Sequence, residues 1–159
     1  MPLVINGWTV LYHTVFGDRF HALKERVKQL KATLSDADYK QHPDVKLFAA
    51  VRRVIMETIP TDPNRADFWL RADLAKFRRV KGYGLPERYR VFYVFSQQAR
   101  VVMIMYLNGS GTLRKQGAKT DPYEVFADLV RSGELGADFE ANLAQWKAAH
   151  GSDKGKERT

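Results

Sequence analysis

The chain contains no cysteine. That excludes a disulfide scaffold, a thiolate-bound zinc and a cysteine nucleophile, and it fits a reducing compartment. No apolar run approaches the roughly 18 residues of a membrane-spanning helix, and Met1–Trp8 has no signal-peptide character, so a cytoplasmic protein with no membrane partner is expected. The four histidines, His13, His21, His42 and His150, do not pair at metal-ligand spacing, so no metal site is expected. There is no Walker glycine loop and no paired dinucleotide glycines, so no cofactor is expected either. Acidic residues are nearly missing from one stretch. Between Lys76 and Lys119 the only acid is Glu87, against ten lysines and arginines, a local charge of +9 in a chain whose total is +8.

What is present describes an ordinary folded protein. The 159 residues, 45% hydrophobic and 28% charged, suit a single domain with a sizeable core. We expect residues 1–150 to form that domain and the polar residues 151–159 to form a flexible basic tail. The cationic block favours a polyanion, either nucleic acid or an acidic protein. A solvated basic face kept for solubility is the alternative.

Periodicity supplies the elements. Val4–Phe16 is apolar and aromatic, with a turn at Asn6-Gly7 and room for a strand. Phe20, Leu23, Val27, Leu30 and Leu34 recur at helical steps and predict a helix over Asp18–Leu34. A second helix over Asp44–Ile59, ended by Pro60, could pair with the first as a hairpin on one side of a sheet. The period then changes to two. Phe77–Lys81 reads as a short strand, and Arg88–Ser96 with Arg100–Asn108 as a hairpin. The second hairpin strand is apolar on both faces and is expected at the sheet centre. Thr120-Asp121-Pro122 starts a helix that stops at Gly133, and a last helix covers Asp138–Ala149. The expected class is α+β: a helical hairpin, a twisted antiparallel sheet and C-terminal helices.

Cations alternate along the strands. In Arg79-Val80-Lys81 and again in Arg88-Tyr89-Arg90, the two charges project from one face while the middle residue points to the other. Were the strands neighbours, up to four cations would share one face, at a repulsive cost that a visiting anion relieves. Solvent-facing arginines that protect a sheet edge would give the same pattern.

The combination Arg79-Val80-Lys81, Arg88-Tyr89-Arg90-Val91-Phe92-Tyr93, Thr112-Leu113-Arg114, Gly117 and Lys119-Thr120-Asp121 with Tyr123 and Val125-Phe126 resembles the YhaV toxins, as does Asn6-Gly7-Trp8. These belong to the RelE/ParE superfamily of type II toxin–antitoxin systems, and the similarity runs from about Asn6 to His150. The resemblance implies a RelE-like fold and a metal-independent endoribonuclease acting mainly on mRNA, on the ribosome in the RelE branch. It implies a neutralising antitoxin of the PrlF type, with an AbrB-like swapped-hairpin fold. The site it implies has Lys81, Arg90, Arg114, Tyr123 and His150 as catalytic residues, with Arg79, Arg88, Lys115 and Lys119 binding substrate. Lys81 or Tyr123 would take the 2′-OH proton, Arg90 and Arg114 would steady the phosphorane, and His150 or a lysine would protonate the leaving oxygen. The chain departs from the family where Asn108-Gly109 replaces a frequent Asn-Asp and Gln116-Gly117 a frequent Tyr-Gly. Two other readings share the pattern: a ParE-like topoisomerase inhibitor that cuts nothing, and a non-catalytic RNA-binding module.

Overall fold

A computed structural model describes the backbone of residues 3–109 and 121–158, with side chains described to residue 151. The chain opens with a hairpin, β1 (Leu3–Ile5) and β2 (Trp8–Tyr12). Asn6 and Gly7 both adopt left-handed backbone, φ 52° and 81°, as a two-residue hairpin turn of the primed type demands. Gly7 is also close to a neighbour, since a Cβ there would lie 3.2 Å from the Arg100 guanidinium.

Helix α1 (Thr14–Thr33) begins four residues earlier than the apolar period predicted. The reason is an unusual cap: His13 Nδ1 accepts the Val15 amide at 3.1 Å. A short α2 (Asp36–Gln41) leads to α3 (Pro43–Arg53), whose start is capped by His42. The helix does not end before Pro60. It continues through a wide π-type turn, Val54–Thr58, into α4 (Ile59–Thr61). Proline lacks an amide and crowds the carbonyl four residues back, and the wide turn ahead of it opens that spacing. Asn6 Nδ2 donates to the Pro60 carbonyl at 2.9 Å, tying the first hairpin to this helix. Helices α1 and α3 pair as expected, with Phe20 stacked on Phe48 at 5.1 Å.

After two short turns come β3 (Arg78–Val80), β4 (Val91–Ser96) and β5 (Val101–Leu107), then α5 (Pro122–Ser132) and α6 (Phe139–Arg158). The sheet order is β1-β2-β5-β4-β3, so β5 is central as its two apolar faces imply. The β3–β4–β5 part is antiparallel, but β2 runs parallel to β5, so the sheet is mixed rather than wholly antiparallel. Parallel neighbours need a long crossover, and α1–α4 lie within the connection between β2 and β5. Strand β4 starts three residues later than predicted, because Arg88 takes left-handed backbone (φ 78°) and leaves the extended run. Helix α6 passes Gly151 and reaches Arg158, well beyond the predicted end at Ala149.

Both sheet faces are buried. Val80, Val91, Tyr93, Val102 and Ile104 form one core with α1, α3 and the turns after them. Phe77, Phe92, Met103, Met105 and Tyr106 form a second with Phe126 of α5, Leu135 ahead of α6 and Phe139 at its start. The second core stacks Phe92 on Phe126 at 4.3 Å. It holds α5 over the end of the sheet where the basic strands meet.

Candidate functional site: a cationic face over β3 and β4

Register decides which cations meet. Arg79 pairs with Phe92 and Val80 with Val91. Cross-strand partners share a face, so Arg79 lies with Phe92 on the α5 side, while Val80 and Val91 enter the opposite core. Lys81 follows β3 and Arg90 precedes β4, and one further step of the alternation would bring both to the Arg79 face. Lys81 is exposed and Arg90 half-buried.

Tyr123 comes to the same face from above. Asp121 Oδ1 accepts its amide at 2.8 Å and Pro122 occupies the first turn, which places Tyr123 at the start of α5. Its ring meets Phe92 edge-on at 5.6 Å, and the Arg79 guanidinium lies over it, also at 5.6 Å. Arg79 Nη1 donates to the Asp67 carbonyl at 3.3 Å, and Arg90 Nη1 to the Tyr89 carbonyl at 3.0 Å. The Nε atoms of Arg79 and Arg90 are buried without a hydrogen-bond partner among the described residues.

Asn108 organises the end of this face, a role the sequence did not suggest. Its side chain is 1% exposed. Oδ1 accepts the Arg90 amide at 2.7 Å and Nδ2 donates to the Arg88 carbonyl at 2.8 Å. Its own carbonyl accepts Arg19 Nη2 at 3.3 Å, which brings a cation from α1 to the end of β5. Arg19 and the neighbouring Tyr106 were also missed. The approach of Arg19 to Tyr106 and Asn108 spans 87 or more residues of sequence, beyond any local pattern. Burial pushes the Tyr106 hydroxyl pKa up, while the Arg19 charge pulls it down.

Other predicted residues behave differently. Arg88 was expected beside Arg90 by alternation. Its left-handed backbone breaks that alternation, and its side chain is exposed. His150 is half-buried on α6, its ring stacked on Trp146 at 4.5 Å and its Nδ1 2.9 Å from the Trp146 carbonyl. These contacts stay within α6, and none joins it to Arg79, Arg90 or Tyr123. Arg114, Lys115 and Lys119 lie outside the described residues.

Beside Tyr123 an open groove of about 590 Å³ runs between the Ala72–Leu74 turn and α5. Arg71 and Arg131 line it together with Asp73, Glu124 and Asp128, so acids outnumber bases there. The sheet face differs. Among the described residues the ion pairs are Arg26–Asp44, Lys28–Glu25 and Arg131–Asp128, all outside the basic block. Among the described residues no group of three or more histidines and carboxylates could hold a metal ion, and no helix is long and apolar enough to cross a membrane.

Residues 10–147 match the model of the YhaV toxin family, described as a toxin with endonuclease activity, of a toxin–antitoxin system. The chain belongs to the YhaV toxin family. Similar members include Toxin YhaV of Escherichia coli O6:H1 and Ribonuclease toxin YhaV of Escherichia coli K12, each 32% identical over 155 residues that cover 94% of this chain and 98% of the relative. No solved structure matches the chain. Membership accounts for a toxin with endonuclease activity that works within a toxin–antitoxin pair. The cationic face of β3 and β4 lies inside the matched region of the YhaV family.

Proposed function

We propose that the β3–β4 face binds and cuts RNA, and that the chain is a metal-independent endoribonuclease that arrests translation and growth. The observation that carries this reading is how the arginines are held. Arg79 and Arg90 donate to main-chain carbonyls, and no carboxylate pairs with them among the described residues. Their positions are fixed while their positive charge stays available to a phosphate. A guanidinium fork matches phosphate oxygens two at a time.

In the reaction the ribose 2′-oxygen attacks the adjacent phosphorus as its proton leaves. The bond to the 5′-oxygen breaks, and that oxygen takes up a proton, giving a 2′,3′-cyclic phosphate and a free 5′-OH. Lys81 or Tyr123 takes the first proton. Arg90, with Arg114, steadies the charge of the phosphorane, and Arg79, Arg88, Lys115 and Lys119 hold the strand. His150 or a lysine supplies the second proton. We place the protein in the cytoplasm, acting on mRNA, in association with the ribosome, and neutralised by a PrlF-type antitoxin with an AbrB-like fold.

The test is purified protein incubated with RNA, alone and with ribosomes, followed by mapping of the cut ends. Arg90→Ala and Arg79→Ala should each slow cleavage at least tenfold, and a 2′-deoxy residue at the cut site should abolish it. Binding should also weaken steeply with salt, with a log–log slope of about −0.7 for each phosphate contacted on a single strand. Variants that cut like wild type, or cleavage of the 2′-deoxy substrate, would refute this site and mechanism. Topoisomerase inhibition without RNA cleavage would favour the ParE-like alternative.

A further inference from the structure

Two aromatic rings beside the edge strand β3 are exposed and yet firmly held. Trp69 is 53% exposed and Tyr83 39% exposed. Trp69 Nε1 donates to Asn64 through both its carbonyl (2.9 Å) and Oδ1 (3.0 Å). The same Oδ1 accepts Arg78 Nη2 at 3.0 Å, and the Arg78 guanidinium lies 5.9 Å from the centre of the Trp69 ring. Tyr83 repeats the arrangement. Its hydroxyl donates to Asp67 Oδ2 at 2.8 Å, it accepts Arg65 Nη1 at 3.4 Å, and the Arg65 guanidinium lies 5.6 Å from its ring centre.

The backbone is strained to achieve this. Gly82, Tyr83 and Gly84 all have positive φ, at 74°, 53° and 90°. The glycines adopt it freely, but a tyrosine in left-handed backbone costs about 1 kcal/mol or more. One edge of the ring meets the buried Phe68 at 5.4 Å, while 39% of the residue stays open to solvent. Asp67 then joins the shelf to the site: its carboxylate accepts Tyr83 and its carbonyl accepts Arg79. Tyr83 and Arg79 are therefore both anchored to Asp67, one through its carboxylate and the other through its carbonyl.

We propose that Trp69 and Tyr83 form a stacking shelf for bases of single-stranded RNA flanking the scissile phosphate. The shelf rests on the endoribonuclease reading and extends it to the nucleotides beside the cut. Every base has a π-face, so rings of this kind bind single strands with little sequence demand. Strand β3 is a sheet edge, and Arg78 and Arg79 project to opposite sides of it, so Arg65, Arg78 and Arg79 would meet an RNA backbone that passes round that edge. The nearby Asp67 carboxylate is occupied by Tyr83, and Asp62 Oδ1 by the Asn64 amide.

The probe is a short single-stranded RNA with 2′-O-methyl riboses, which binds but cannot be cut. Trp69→Ala and Tyr83→Ala should each weaken its binding about five- to a hundredfold. Trp69→Phe and Tyr83→Phe should keep most of the affinity. In the wild type, RNA should quench tryptophan fluorescence, and Trp69→Phe should remove the share due to Trp69; Trp8 is buried, and a Trp146→Phe background removes the half-buried ring beside His150 from the signal. The quench tests the shelf even if an alanine variant fails to fold. Alanine variants that bind RNA like wild type, with no quench at Trp69, would overturn the shelf while leaving the nuclease intact. Loss of antitoxin neutralisation in cells with unchanged RNA affinity would do the same, and would mark a protein-docking surface. A wild type that neither binds nor cuts RNA would overturn the nuclease reading itself.

Discussion

Replacing Asn108 with alanine removes both side-chain bonds that hold the Arg88–Arg90 segment against the end of β5. Asn108 is 1% exposed, and its two side-chain bonds are short, 2.7 Å to the Arg90 amide and 2.8 Å from the Arg88 carbonyl. A buried donor or acceptor left unpaired costs about 1–3 kcal/mol. Here both partners are backbone groups of only partly buried residues, where water recovers some of the loss, so a total of about 2–3 kcal/mol follows. For a domain of this size each kcal/mol moves the melting temperature by about 2–4 °C, which gives a drop of about 4–12 °C. Circular dichroism melting of the free toxin measures it. Cleavage at 25 °C, where most of the variant is still folded, should fall further than the folded fraction alone explains, because Arg90 loses its anchor. Asn108→Asp is the informative companion. It can still accept the Arg90 amide but cannot donate to Arg88, and it places a carboxylate beside Arg19. A melting temperature within 2 °C of wild type for Asn108→Ala, together with unchanged cleavage, would refute the idea that this amide positions the site.

Two further outcomes follow from the same geometry. Tyr123→Phe keeps the ring against Phe92 and under Arg79 but removes the hydroxyl, so folding should be unaffected. If that hydroxyl takes the 2′-OH proton, cleavage falls by about 10²–10⁴, and Lys81→Met has the smaller effect; the reverse ranking moves the base to Lys81. At high pH the buried tyrosines control stability. Burial raises the hydroxyl pKa of Tyr93, Tyr106 and Tyr12 in the folded state. Unfolding returns them to the ordinary value near 10, so the native state holds more protons above that pH. Stability is therefore intact below about pH 10 and declines above it, by up to about 1.4 kcal/mol per pH unit for each such tyrosine. Tyr93→Phe should flatten that decline in a melting series from pH 8 to 11, at the cost of the bond to the Pro63 carbonyl.

Much of the scaffold could be read from local pattern. The Asn6-Gly7 turn, the paired helices, the central apolar strand and the Asp121-Pro122 helix start all depend on residues within a few positions of one another. What escaped was either non-local or chemically unusual. A histidine is a rare helix cap, so His13 hid the start of α1. The parallel pairing of β2 with β5 depends on a crossover with no signature of its own. The alternation of Arg79 and Arg90 with apolar neighbours was visible, and the β3–β4 register places Arg79 with Phe92 on the α5 side, Arg90 lying one residue before β4. Arg88 broke the pattern because one left-handed residue cannot be told from an extended one by spacing. Asn108, Arg19 and Trp69 enter the site or its margin through contacts, or by being held open to solvent, and hydrophobic periodicity reports neither.

The choice of acceptors explains how so basic a surface stays both ordered and charged. Arg65, Arg78, Arg79 and Arg90 are each oriented by neutral oxygens, those of the Tyr83 hydroxyl, the Asn64 amide and the backbone. Carboxylates would orient the same forks more strongly, but each would cancel a charge and lower the field felt by an approaching polyanion. Holding the cations with amides and carbonyls separates the two requirements. Position is set within the protein, and the electrostatic partner is left to come from outside. If this face is the site proposed above, a nucleic acid backbone and an acidic segment of another protein would compete for it, and only one could occupy it at a time. In a toxin–antitoxin pair, that exclusion would let an inhibitor work by occupying the face without deforming the fold.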